Sequence, residues 1–168
     1  MRVNTRACKK AALGGTFSLF HEGHKHFLRK SLEVADKVLI GISSDELVSK
    51  LGKNHPVERY EERAVKVLSF CIKYVTKGQS ITIFPLNDKY GPSVIDTKLD
   101  CIILSEENKE VVVEVNKLRK IRGLNPLKAI IVNLFRIEGG IKLSSSLIWR
   151  NILSKFKGYY SKDIIPTK

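Results

Sequence analysis

Cysteine, methionine and tryptophan are scarce in this 168-residue chain: three, one and one. The three cysteines, Cys8, Cys71 and Cys101, are odd in number, far apart and without metal or redox spacing, so they are expected as reduced thiols, two of them in the core. No run approaches the roughly 18 uninterrupted apolar residues of a membrane span. The first ten residues are polar and basic and lack the apolar centre of a secretory signal. These absences argue against a membrane partner and make the cytoplasm the expected location. Acidic residues are also short, 17 Asp+Glu against 30 Lys+Arg, for a net charge of +13. That surplus calls for an anionic partner, either nucleic acid or phosphorylated small molecules, and charge alone does not separate them. Much of it lies at the two ends (Arg2, Arg6, Lys9, Lys10; Lys155, Lys157, Lys162, Lys168), where solvated termini are an equal reading.

With 43% hydrophobic residues, the chain suffices for one domain with a proper core and is small for two. Five short apolar runs, Ala11–Gly14, Val38–Ile42, Ile81–Phe84, Cys101–Leu104 and Ala129–Val132, suit strands buried on both faces of a parallel sheet. Helical segments lie between them. Phe27, Leu28, Ser31, Leu32 and Ala35 share a face headed by His24, and Ala64, Val65, Leu68, Cys71, Ile72 and Val75 form a second. Asn108 to Arg122 reads as a third despite its valines, with Val111, Val115 and Leu118 on one face and Gly123 as C-terminal cap. A fourth is expected from Ser145 to about Phe156. The alternation predicts an α/β fold, a single Rossmann-like domain with a mostly parallel five-stranded sheet flanked by helices.

The chemistry concentrates in Gly14-Gly15-Thr16-Phe17-Ser18-Leu19-Phe20-His21-Glu22-Gly23-His24, which follows a strand and opens a helix. A helix start there offers free N–H groups and a favourable dipole to a phosphate. The glycines would let the backbone approach a ligand, and His21 and His24 flank Gly23 within reach of one anion. The G-x-G-x-x-G dinucleotide pattern and the lysine-containing P-loop are both absent. A metal cluster of His21, His24 and His26 is disfavoured because His26 points off the shared side. Two ordinary structural histidines remain an alternative for the stretch taken alone.

Thr16-Phe17 followed by His21-Glu22-Gly23-His24 resembles the T-F-D-x-x-H-x-G-H signature of the nucleotidyltransferase superfamily, with Ser18 in place of its Asp. The similarity runs from about Ala11 to Leu153 and most resembles the pantetheine-phosphate adenylyltransferases of archaeal and eukaryotic type. Ser49-Lys50-Leu51, Tyr60-Glu61-Glu62-Arg63, Pro85 to Pro92, Leu104-Ser105-Glu106-Glu107 and Asn116-Lys117-Leu118-Arg119 each match an element of that family. Leu143 to Arg150 resembles its serine-rich C-terminal signature, with the arginine one residue late.

The resemblance implies a nucleotidyltransferase domain over residues 1–157, a basic tail over 158–168, and adenylyl transfer from ATP to 4′-phosphopantetheine. The products would be dephospho-CoA and pyrophosphate. It implies catalytic roles for His24, His21, Lys50 and Arg119. ATP would meet Gly14, Gly15, Thr16, Phe17, His21, His24, Ser105, Arg119, Ser144, Ser145, Ser146 and Arg150. The acceptor would meet Thr16, Lys50, Arg63, Asp88 and Tyr90. Mg²⁺ is expected with the ATP, held by phosphate and water rather than by protein ligands. The acceptor phosphate is already a nucleophile, so positioning and charge neutralisation would suffice.

Simpler roles stand beside these. Lys50 also reads as a solvated lysine, Arg63 and Arg119 as surface ion-pair partners, and Asp88 as a turn former. Ser105, Glu106, Glu107 and one of the three serines also read as helix caps, and Trp149 as core packing. FMN or NMN is the alternative acceptor. A basic nucleic-acid-binding module is the alternative of another class, although few aromatics interleave with the basic residues. A monomer is expected from the resemblance alone.

Overall fold

The structure, a computed structural model, describes residues 6–160, with side chains through residue 155. Five strands, β1 (Cys8–Gly15), β2 (Ala35–Ser43), β3 (Ser80–Leu86), β4 (Cys101–Ser105) and β5 (Lys128–Val132), form one sheet in the order β3-β2-β1-β4-β5. Every pairing is parallel, so the expected sheet is present with all five of its strands. The chain starts at the centre, winds outward through β2 and β3, then returns to the other side of β1. The carboxyl ends of β1 and β4 therefore flank the switch point where α/β sheets hold ligands.

Among the described residues five α-helices accompany the sheet: α1 (Glu22–Val34), α2 (Asp45–Lys50), α3 (Tyr60–Cys71), α4 (Val111–Ile121) and α5 (Ser145–Tyr160). Strand alternation splits the core into two layers. Ala11, Leu13, Val38, Ile40 and Ile42 pack with Leu28 and Leu32 of α1 and Val67 and Phe70 of α3. Ala12, Ile102 and Leu104 face the other way, against Val94, Leu99, Leu127 and Val115 of α4.

Several expectations need correction. In α3 the buried residues are Arg63, Val67, Phe70 and Cys71, while Val65, Leu68 and Ile72 are exposed. The true inner face contains a charged residue, so reading hydrophobicity alone turned the helix by about one position. The helix α2 was not anticipated, and α5 runs past Phe156 to Tyr160, so a tail boundary at 157/158 falls inside a helix. The remainder of that expected tail, residues 161–168, lies outside the described residues, as do residues 1–5.

The cysteines are not all reduced: Cys8 and Cys101 form a disulfide joining neighbouring strands β1 and β4, with Cα atoms 6.0 Å apart. Cys71 stays a thiol, and burial pushes its pKa up to about 12. Two of the basic residues near the start are also not merely solvated. Arg6 pairs with Asp36 at 2.9 Å and Lys10 with Asp96 at 2.6 Å.

Candidate active site

Two cavities open at the carboxyl ends of the strands and share Gly14, Gly15, Thr16, Leu104 and Asn108. The first, about 350 Å³, is lined by polar groups that include His21, His24, Lys53, His55, Ser105, Lys142 and Ser144 to Ser146. The second, about 330 Å³, is walled mainly by apolar side chains, among them Leu47, Phe84, Leu86, Pro92 and Val111.

The glycines serve packing as well as access. A Cβ on Gly14 would stand 2.9 Å from Leu86 Cδ1, and one on Gly41, its partner across β2, 2.5 Å from Leu86 Cγ. Only a strand without side chains there can seat Leu86 at the second cavity.

His21 caps α1: its Nδ1 accepts from Gly23 N at 3.1 Å, while His24 Nδ1 accepts a long 3.5 Å bond from His21 N. Both Nδ1 atoms are acceptors, so in each neutral ring the proton belongs on Nε2, which can donate to an anion. The rings stack with centroids 3.8 Å apart, and Phe17 and Phe20 lie against His24 at 5.3 and 5.9 Å. Burial lowers the His21 pKa to about 4, opposed by Glu22 and reinforced by Lys142. Burial, then the neighbouring His21, lowers that of His24 to about 3 against the pull of Glu58. The pair enters neutral, as hydrogen-bond donors rather than cations.

The three serines of the last signature divide the work at the start of α5. Ser144 Oγ accepts from Leu147 N at 3.2 Å as the cap. Ser145 Oγ donates to Ser18 O at 2.7 Å, and Ser146 Oγ to Asn54 Oδ1 at 3.0 Å. Ser105 also faces the first cavity, accepting from Asn108 Nδ2. In the second cavity Asp88 forms a turn, accepting from Tyr90 N and Gly91 N at 2.8 and 2.7 Å, and Tyr90 donates its hydroxyl to Glu114 at 2.8 Å.

Four expected ligand residues are not brought here. Arg63 is fully buried and donates to Glu58 O, Thr16 O, Ser43 O and the Asp45 carboxylate. Arg119 is equally buried, donating to Asn125 O, Ser93 O and Asp96 O. Arg63 is saturated by carbonyls and the Asp45 carboxylate, Arg119 is held by three backbone carbonyls, and neither guanidinium lines either cavity. Lys50 is exposed at the end of α2 and lines neither cavity, because α2 turns it away. Arg150 is exposed on α5, its Nε reaching back to Ser146 O at 3.4 Å.

Basic groups that the sequence reading overlooked occupy the first cavity instead. Lys53 and His55 arrive on the loop after α2, and Lys142, ion-paired with Glu107, on the segment before α5. Glu58, also overlooked, accepts from Ser18 Oγ and Leu19 N beneath the histidine turn. The one signal for the loop was the close spacing of Lys53 and His55 before Pro56.

A cytidylyltransferase-like family model matches residues 12–151. Among curated proteins, a phosphopantetheine adenylyltransferase of Methanopyrus kandleri is 39% identical over 140 residues, 82% of this chain and 87% of the relative. That of Pyrococcus furiosus is 35% identical over 148 residues, 88% of this chain and 91% of its own length. Among solved structures, an Archaeoglobus fulgidus protein of unknown function shares the fold with a TM-score of 0.64 at 24% identity, over 80% of this chain and 99% of that one.

Proposed function

The chain belongs to the phosphopantetheine adenylyltransferases within the cytidylyltransferase-like family, and on that premise we propose that it joins ATP and 4′-phosphopantetheine into dephospho-CoA and pyrophosphate in the cytoplasm. The observation that carries the reading is the pair of cavities meeting at Gly14-Gly15-Thr16, the first more polar and carrying His21, His24, Lys53 and Lys142, the second mainly apolar. A nucleotide triphosphate suits the first, and a pantetheine arm ending in phosphate suits the second, with its phosphate directed toward the junction.

An oxygen of the acceptor phosphate attacks the α-phosphorus in line. The bond from that phosphorus to the α,β-bridging oxygen breaks, and pyrophosphate leaves with the electron pair. The acceptor is already ionised at neutral pH, so no general base is assigned. The Nε2–H groups of His21 and His24 donate to the phosphates as charge moves toward the leaving group, a contribution that grows in the transition state. Lys53 takes the phosphate role expected of Lys50, and Lys142 exchanges Glu107 for the departing pyrophosphate, with Ser145 and Ser146 beside it. Mg²⁺ arrives on the ATP as part of the substrate. The apolar wall and Tyr90 select the acceptor.

A product assay with purified protein, MgATP and 4′-phosphopantetheine tests the reading, with FMN and NMN as parallel acceptors. Dephospho-CoA and pyrophosphate in equal amounts are expected. Adenylyl transfer to FMN or NMN alone would overturn the acceptor and keep the mechanism.

A further inference from the structure

The turn that carries the site into α1 is strained in an unusual way: Phe17 and Leu19, neither of them glycine, both have left-handed backbone, with φ of 54° and 46°. Side chains bearing a Cβ disfavour this region, and such residues persist where their surroundings over-determine them. Ser18 between them is 2% exposed.

We propose that Glu58 is a positioning residue for adenylyl transfer, its carboxylate holding the left-handed turn that presents His21 and His24 to the first cavity. Its Oε1 and Oε2 both lie 3.1 Å from Leu19 N, and Oε2 accepts from Ser18 Oγ at 2.9 Å. The same residue is itself fixed twice. Lys66 Nζ stands 3.1 Å from Oε1, and Arg63 Nε donates to the Glu58 carbonyl at 2.7 Å while Arg63 Nη1 holds Thr16 O at 2.9 Å. The turn is thus gripped at Thr16 by the arginine and at Ser18 and Leu19 by the carboxylate.

What the turn carries makes the grip functional. Phe17 and Phe20 wall the His24 ring, and Ser18 O receives Ser145 Oγ at 2.7 Å, which ties the histidines to the serine row across the cavity. Releasing Ser18 and Leu19 moves both sides of the phosphate site together. The carboxylate stays charged throughout the working range: burial raises its pKa, but bonds from its own backbone, Leu19 N, Lys66 and Ser18 outweigh this and bring it to about 2.

The inference rests on the adenylyl-transfer reading for its kinetic readout. Glu58→Ala is expected to lower kcat by about thirtyfold, the scale of lost hydrogen bonds to a charged acceptor. KM for phosphopantetheine should stay within about twofold, at a temperature well below the melting midpoint. A purely structural residue would lower the midpoint and leave kcat intact in the folded enzyme. Folded Glu58→Ala with wild-type kcat overturns the proposal. Should that variant fail to fold, Ser18→Ala, which removes the Oγ bond to the carboxylate, and Glu58→Gln, which removes its charge and one acceptor oxygen, are expected to lose about three- to tenfold in kcat. Wild-type turnover in both overturns it equally. If the unaltered protein transfers nothing to phosphopantetheine, the reaction reading fails, and the clamp is judged by the rise in melting midpoint that MgATP induces. Loss of that rise in Glu58→Ala supports the clamp, and an unchanged rise overturns it.

Discussion

Each half of the molecule is organised around a fully buried arginine, and the two differ in how completely they are satisfied. Arg63, on α3, spends every nitrogen: Nε on Glu58 O, Nη1 on Thr16 O and Ser43 O, Nη2 on the Asp45 carboxylate at 2.7 Å. Arg119, on α4, bonds Asn125 O, Ser93 O and Asp96 O, but its Nη2 meets no acceptor among the described residues. The Asp96 carboxylate that would pair with it is engaged by Lys10 Nζ and Lys98 N. Burial accordingly lowers the Arg119 pKa, with Asp96 opposing. The half that carries the histidines is held by a paired and saturated cation, and the half that walls the apolar cavity by an incompletely paired one. A cation buried with its partners resists removal far more than one buried with an orphaned donor.

That comparison breaks first at Arg63. Arg63→Ala strands three carbonyls and should cost about 3–5 kcal/mol, lowering the melting midpoint by about 10 °C. Because Thr16 is released as well, kcat should fall even at temperatures where the variant is folded. Chemistry and stability then separate at His24. His24→Ala should reduce turnover by about 10² or more while changing the unfolding free energy at neutral pH by less than about 1 kcal/mol. A loss below about tenfold would remove His24 from the transition state. Arg119→Met comes next, at about 2 kcal/mol, because one donor is already unused and the aliphatic stem is retained. It should raise KM for phosphopantetheine through Ser93, which lines the second cavity, and leave kcat within about threefold. Urea melts of the two arginine variants side by side are decisive: equal losses would erase the distinction between the halves.

The sequence made the sheet legible because burial on both faces writes itself as continuous apolar runs, and all five runs became strands. The histidine pair was legible because its geometry is local, a cap and its third residue on one helix start. The arginines were not. Beyond one near carbonyl each, their partners lie 18, 20 and 47 residues away for Arg63, and 23 and 26 for Arg119, so an exposed phosphate ligand and a buried structural cation look alike along the chain. The same distance hid the disulfide, whose cysteines are 93 residues apart and meet only because β1 and β4 are neighbours. Lys50 rests on the family resemblance of Ser49-Lys50-Leu51, and the helix α2 that it ends went unseen, although Ser44 followed by Asp45 and Glu46 is a helix start in plain view.

Acid sharpens the comparison with the smallest effect. His21 and His24 titrate near 4 and 3 in the folded protein, below the ordinary 6.5 of an unfolded chain. Between those values the unfolded state binds more protons, so stability falls as the pH drops from about 6.5 toward 4. Glu58 acts in the same sense but lower down. Its folded pKa of about 2 lies below the ordinary 4.5, so its contribution is complete above 4.5 and is lost only as the pH falls toward 2. Asp96, in the Arg119 half, is likewise lowered, its burial outweighed by Lys10 and the Lys98 N–H, and responds only in that lower range. Mild acidification to about pH 5 therefore weakens the histidine half through its imidazoles before either carboxylate yields. Allowing for partial solvent screening, His24→Gln should retain about 1 kcal/mol more of its neutral-pH stability at that pH than the unaltered protein does. Urea midpoints between about pH 7 and 5 measure it, and parallel slopes for the two proteins would mean that His24 is not held neutral by its burial.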